Sequence, residues 1–137
     1  MTKKYPGIVC VVILSLVMAA CGQRPNAIDL EGTHWVLIEM DGHPPIAGRS
    51  ITLGFEDGEV RGHLGCNSFS GSYSLRGDTL EFGLLMSTLM ACVEDDLMQQ
   101  EGRMFELLGQ VERVQFVDGR LHLLLSGGER LIYAPTE

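Results

Sequence analysis

Period-two alternation of apolar and polar side chains runs through most of this chain. Trp35 and Leu37 share one side of an extended segment, with Val36 and Ile38 on the other. Ile51, Leu53 and Phe55 alternate with Thr52, Gly54 and Glu56. Asp57-Gly58 then supplies the positive-φ positions of a tight hairpin leading into Val60. Between Phe69 and Leu75, Phe69, Gly71, Tyr73 and Leu75 fall on one side and Ser70, Ser72 and Ser74 on the other. That pattern predicts a half-buried strand with one wet face. Gly77-Asp78 turns the chain into Leu80 and Phe82.

The period changes at Glu94. Leu97, Met98, Met104, Phe105 and Leu108 recur at helical spacing, so a helix is predicted over 94–108. Glu94, Asp95 and Asp96 fall in its first turn, where the helix dipole favours negative charge, and Gly109 is its C-terminal stop. Three further strands are expected at Val111–Val117, Leu121–Leu125 and Arg130–Ala134, joined by Asp118-Gly119 and Gly127-Gly128. The fold class is therefore α+β: a small antiparallel β-sheet, partly barrel-like, carrying one helix. No repeat, linker or second domain interrupts it.

The first residues follow a different pattern. Lys3 and Lys4 precede a nearly unbroken apolar run from Gly7 to Ala20. That run is about 14 residues, short of the roughly 20 needed to span a bilayer as a helix, and reads as a signal segment. Its end, Val17-Met18-Ala19-Ala20-Cys21, resembles the lipobox of bacterial lipoproteins, with Met18 where Leu is more usual. The resemblance implies cleavage before Cys21 and lipid attachment to it. Several acyl chains hold a protein to a membrane stably, whereas one holds marginally. Gly22 stands where lipoproteins retained in the inner membrane commonly carry Asp, which implies the outer membrane in a host with two. The other reading is an ordinary secreted protein with Cys21 an incidental thiol. The layout expected is a signal peptide at 1–20, a lipid-anchored tether at 21–29 and a globular domain at 30–137.

Removing twenty residues from 137 leaves 117, a single-domain size. Loss of Lys3 and Lys4 moves the formal charge from −8 to −10, and every remaining base is Arg. Such a charge disfavours nucleic acid, whose phosphates need cations to neutralise them. It equally disfavours docking on anionic headgroups through a basic face. Of four cysteines, Cys10 leaves with the signal and Cys21 takes the lipid, so Cys66 and Cys92 remain as one pair in an oxidising compartment. A disulfide between them is expected; two buried free thiols are the alternative.

Four segments now stand in a recognisable order: Leu30-Glu31-Gly32-Thr33-His34-Trp35-Val36-Leu37, Gly65-Cys66-Asn67-Ser68-Phe69-Ser70-Gly71-Ser72-Tyr73, Thr88-Leu89-Met90-Ala91-Cys92, and the helix holding Glu101 and Phe105. From about Leu30 to Tyr133 the chain resembles the META domain, the HslJ-like family of small bacterial proteins, many of them lipoproteins. The resemblance carries links to heat-shock response, motility and antibiotic resistance, but no enzymatic activity and no settled ligand. Gly65 and Gly71 suit positions a side chain would crowd. Asn67 suits a loop that needs a side-chain amide or a left-handed turn. Trp35, Phe69, Tyr73 and Phe105 are expected in the core, with Cys66 and Cys92 stapling the loop after an early strand to the segment entering the helix.

Candidate chemistry is sparse. His34, His43, His63 and His122 are scattered, with no i, i+4 pair of a helical metal site. His63 and Cys66 suggest a base-activated thiol, but residues three apart on a strand face opposite ways and a disulfide would consume the thiol. Met86, Met90, Met98 and Met104 offer soft ligands for Cu(I), yet their spacing among leucines favours core packing. Glu94-Asp95-Asp96 lacks a calcium-loop pattern, and no phosphate loop or nucleophile elbow is present. The expectation is a lipid-anchored, non-enzymatic envelope protein without metal or cofactor. It would bind or support an envelope component, its partner unnamed, during stress. The alternative is a carrier of a small apolar ligand, a lipid or hydrophobic drug, inside the β-domain.

Overall fold

The computed structural model describes residues 1–2 and 27–136, and there the alternating segments become nine antiparallel strands. They are β1 (Thr33–Met40), β2 (Thr52–Glu56), β3 (Glu59–His63), β4 (Ser68–Arg76), β5 (Thr79–Phe82), β6 (Met86–Ser87), β7 (Val111–Val117), β8 (Arg120–Leu125) and β9 (Arg130–Pro135). One helix, α1 (Asp95–Leu108), lies between β6 and β7. Two-residue turns set the register. Asp57 and Gly58 have φ of 54° and 74°, and Asp118 and Gly119 have 51° and 75°. Paired positive φ gives hairpins the twist their flanking strands need.

Neighbours in space are neighbours in sequence. β1 pairs with β2, β2 with β3, β3 with β4, β4 with β5, β5 with β7, β7 with β8, β8 with β9, and β9 returns to β1. The eight-stranded circuit is a closed up-and-down barrel, which abolishes free edges around most of its circumference. β6 continues the line of β5 along β4 after an irregular step at 83–85. Gly71 permits that step: a Cβ there would lie 2.7 Å from both the Leu84 carbonyl oxygen and Leu85 Cδ2.

A barrel of this size is just wide enough for side chains to fill. Trp35, Leu37, Leu53, Phe55, Val60, Phe69, Leu80, Val114, Leu121, Leu123, Leu131 and Tyr133 are all buried and fill it. α1 covers one end with Leu97, Met104, Leu107 and Leu108. Buried Leu30, with Ile28 packed beside the core, covers the opposite end. There the Trp35 indole Nε1 donates to Thr33 Oγ1 at 2.8 Å, and that hydroxyl donates to the Leu30 carbonyl at 2.6 Å.

The structure places several residues differently from the expectation. Met104 is core, but Met86, Met90 and Met98 are exposed. The buried stripe of α1 runs through Leu97, Gln100, Glu101, Met104, Leu107 and Leu108, which turns Met98 outward. Phe105 is half-buried against the core edge. Gly109 ends the helix with an ordinary right-handed φ of −68°, its N–H bonded to Phe105 O, rather than through a left-handed cap. Cys21, the signal segment and most of the tether lie outside the described residues. Among the described residues no helix is long and apolar enough to cross a membrane.

Candidate functional site

Three of the four family-like segments, 65–73, 88–92 and the helix, converge at the end of the barrel that α1 covers. β3 ends at His63, and the chain turns through Gly65 at φ 113°, where a Cβ would stand 2.8 Å from Leu97 Cδ1 on the helix. The turn closes with Leu64 N–H donating to Asn67 O at 2.7 Å. It thereby aims two successive backbone donors, Cys66 N and Asn67 N, at the Glu101 carboxylate, each at 2.6 Å. Asn67 Nδ2 completes the set, 2.8 Å from the second carboxylate oxygen.

Asn67 also reaches the other way. Its Oδ1 accepts from Met90 N at 2.7 Å and from Thr88 Oγ1 at 2.8 Å, while Thr88 Oγ1 accepts from Ser68 N. One buried amide therefore joins the turn, the helix and the segment entering the helix. The Cys66–Cys92 disulfide joins the same pieces covalently, with Cα atoms 6.3 Å apart and a sequence separation of 26. Asn67 takes the side-chain role anticipated for it, not the left-handed one.

Glu101 carries charge in this setting. Burial pushes its carboxyl up, but the Asn67 side chain and the Asn67 and Cys66 N–H groups, with a lesser contribution from nearby His63, hold it below the ordinary value. Hydrogen bonds to the ionised form outweigh desolvation. Among the described residues the potential metal cluster is Cys66, Cys92 and Glu101, whose donor atoms lie within 4.8 Å of one another. The sulfurs are bonded to each other, so neither is a thiolate ligand, and the carboxylate is engaged by three N–H groups. His63 Nδ1 accepts from Gly65 N at 3.0 Å and makes no pair with Cys66. No histidine belongs to a metal-ligand cluster among the described residues.

This junction anchors an unusual strap. From Phe82 to Val93 the chain has no charged residue. Leu84, Met86, Leu89, Met90 and Val93 are nevertheless exposed, Leu84 by 83% and Leu89 by 96%. These exposed apolar side chains follow one another along a single segment, whose base is held by the Asn67 hydrogen bonds and the disulfide. Beyond it, the Arg49 guanidinium grips Glu94 at 2.8 and 2.9 Å.

Sequence reasoning missed the role of Glu101. The signal was available: Gln100 and Glu101 sit on the apolar stripe of α1, where a solvated side chain has no place. Elsewhere the surface offers less. A groove of about 320 Å³ crosses β1–β3 beside His34 and Gly54, but its Arg61 is paired with Glu59. At the far end Glu31 accepts from Tyr73 Oη at 2.8 Å and from Asp57 N, binding the chain start to a hairpin tip. The Tyr73 bond foremost lowers Glu31, and burial followed by Glu31 raises Tyr73 to about 12.

Comparisons with known proteins agree with this architecture. A protein from Burkholderia xenovorans solved by NMR is 28% identical, with 98% of this chain and 99% of that one covered and a TM-score of 0.65. A second NMR structure is 24% identical, covering 77% and 90% of the two chains, with a TM-score of 0.63. A DUF4847 family protein from Bacteroides vulgatus shares the fold at 14% identity and a TM-score of 0.55, with 77% and 93% covered. No curated protein matches the chain. The META domain family model matches residues 28–137, spanning the barrel, the helix and the Asn67–Glu101 junction, and the chain belongs to that family.

Proposed function

We propose that this protein is a lipid-anchored component of the bacterial cell envelope, held to a membrane through Cys21, that displays the Phe82–Val93 strap to another envelope component. The observation that carries the reading is the Cys66–Cys92 disulfide, because such bonds persist in proteins exported to oxidising compartments. The lipobox-like end of the signal segment supports the anchor, and Gly22 supports the periplasmic face of the outer membrane in a host with two membranes. Ile28 and Leu30 pack at the end of the barrel opposite α1, so the strap lies away from the side where the chain leaves for its anchor. The role is binding rather than catalysis: the one sulfur pair is consumed and the nearby carboxylate holds the fold.

Metabolic labelling with an alkynyl fatty acid tests the anchor. The native chain takes up label and sediments with membranes, whereas Cys21→Ala is unlabelled. A native protein that is unlabelled and freely released rules out the reading. Crosslinking in intact cells tests the partner: one envelope protein is enriched over a lipid-anchored control domain, and uniform background counts against display.

A further inference from the structure

The barrel closes unevenly. Every other seam is a ladder of several residue pairs, but β5 meets β7 at Thr79↔Arg113 alone, reinforced by Val114 N–H donating to Asp78 O at 2.8 Å and by the Arg113–Asp78 ion pair. Beyond that point β5 and β6 have β4 on one side and, among the described residues, no strand on the other. Gly83 N donates to Ser72 O and Thr88 N to Ser68 O, both toward β4. By the alternation of an antiparallel ladder, the backbone groups of Phe82 and Ser87 point to the open side. We propose that this β5–β6 edge accepts an extended peptide segment of a partner protein, apolar at alternate positions and carrying Lys or Arg at its end.

Three observations support that occupant. The open edge borders a cleft of about 540 Å³ between β5 and β7, where Glu81 and Glu112 supply carboxylates and the cation, Arg113, is committed to Asp78. A basic terminus fits that charge. Leu84 and Met86, exposed by 83% and 64%, flank the edge and offer apolar contact to alternate side chains. Free edges are ordinarily protected by charge or proline, and Phe82–Val93 contains neither. A second copy of this chain is a poor occupant, because its own edge brings the same carboxylates into a molecule of net charge −8. The inference deepens the display reading above and rests on it only for the location of the partner.

Fluorescence anisotropy on the full chain in non-ionic detergent tests the edge with a labelled peptide of alternating Thr and Val ended by Lys. The expected result is saturable binding that weakens about tenfold or more when the ends become Glu, when alternate peptide nitrogens are methylated, or in the Leu84→Asp/Met86→Asp protein. Both substituted side chains are exposed, and an unchanged melting temperature verifies the fold of that variant. Absence of saturation up to about 1 mM peptide overturns the proposal, as does equal affinity for Lys-ended and Glu-ended peptides. Dimerisation of the native chain that Leu84→Asp/Met86→Asp abolishes would instead make the edge a self-association surface and equally overturn it. Acylation at Cys21 is unaffected by any of these outcomes, so the anchor reading stands or falls separately.

Discussion

Replacing Glu101 by Gln tests whether a buried carboxylate, rather than apolar packing alone, fixes the end of the barrel. The native side chain accepts from Cys66 N and Asn67 N at 2.6 Å and from Asn67 Nδ2 at 2.8 Å. A glutamine oxygen can keep the two backbone bonds, but without charge. Hydrogen bonds to a charged group contribute roughly 1.5–3 kcal/mol and neutral ones about 0.5–1.5, so those two bonds lose about 2 kcal/mol together. The glutamine NH₂ then faces the Asn67 NH₂, two donors without an acceptor, which brings the expected total to about 2–4 kcal/mol. At roughly 4 °C per kcal/mol for a domain of this size, the melting temperature falls by about 8–16 °C.

Urea unfolding of the purified protein measures the loss, and its pH dependence identifies the cause. The Glu101 carboxyl is lowered in the folded state, so its contribution is complete above the unfolded value of about 4.3 and is lost as pH falls through the lower folded value. The gap between native protein and Glu101→Gln therefore stays constant from neutral pH down to about 5 and narrows below about 4. A variant within about 0.5 kcal/mol of native, or a gap that widens on acidification, refutes the reasoning.

Three further measurements probe the same framework. Cys66→Ser/Cys92→Ser frees the strap from the turn and lowers unfolding free energy by about 3–4 kcal/mol for a loop of this length; a loss under about 1 kcal/mol in urea unfolding would refute the chain-entropy account of this cross-link. Gly65→Ala, at φ 113° and 2.8 Å from Leu97 Cδ1, costs about 2 kcal/mol, while exposed Gly102→Ala in α1 gains about 0.5–1; chemical denaturation of the pair should show opposite signs. The Tyr133 hydroxyl is fully buried with no hydrogen-bond partner among the described residues, and burial raises its pKa. Tyr133→Phe is consequently neutral or stabilising by about 1 kcal/mol in thermal melts, and a clear destabilisation would reveal an internal partner.

Much of the fold was legible along the chain. The patterns along the chain located β1, β2, β4 and β7 through β9 to within a residue or two, since one face of each strand must be apolar and the other wet, while β3 and β5 were marked only through the turns that lead into Val60 and Leu80. Dipeptides such as Asp57-Gly58 and Asp118-Gly119 announced their hairpins because few residues tolerate consecutive positive φ. β6 was illegible: Met86–Ser87 is too short for a period, and it is a strand only because β4 extends past β5 to receive it. The exposed methionines were misplaced for a related reason. On α1 spacing gives relative positions, while the face that packs is chosen by where the barrel end lies, which turns Met98 outward; Met86 and Met90 lie on β6 and the strap, outside the helix.

The candidate site divides along the same line. Residue type alone determined the crowded backbone position at Gly65, the presence of two cysteines left to pair and the charge-free run from Phe82 to Val93, because each depends on composition and near neighbours. Only the tertiary structure decided that Glu101 would receive the backbone of residues 34 and 35 positions away, that Asn67 would bridge helix and strap, and that β5 would leave an edge open beside Glu81 and Glu112. Those outcomes depend on closing eight strands into a circuit with a helix inserted in the chain between β5 and β7. Which groups that closure leaves buried and paired, and which it leaves bare, is a property of the whole circuit and is written in no single segment.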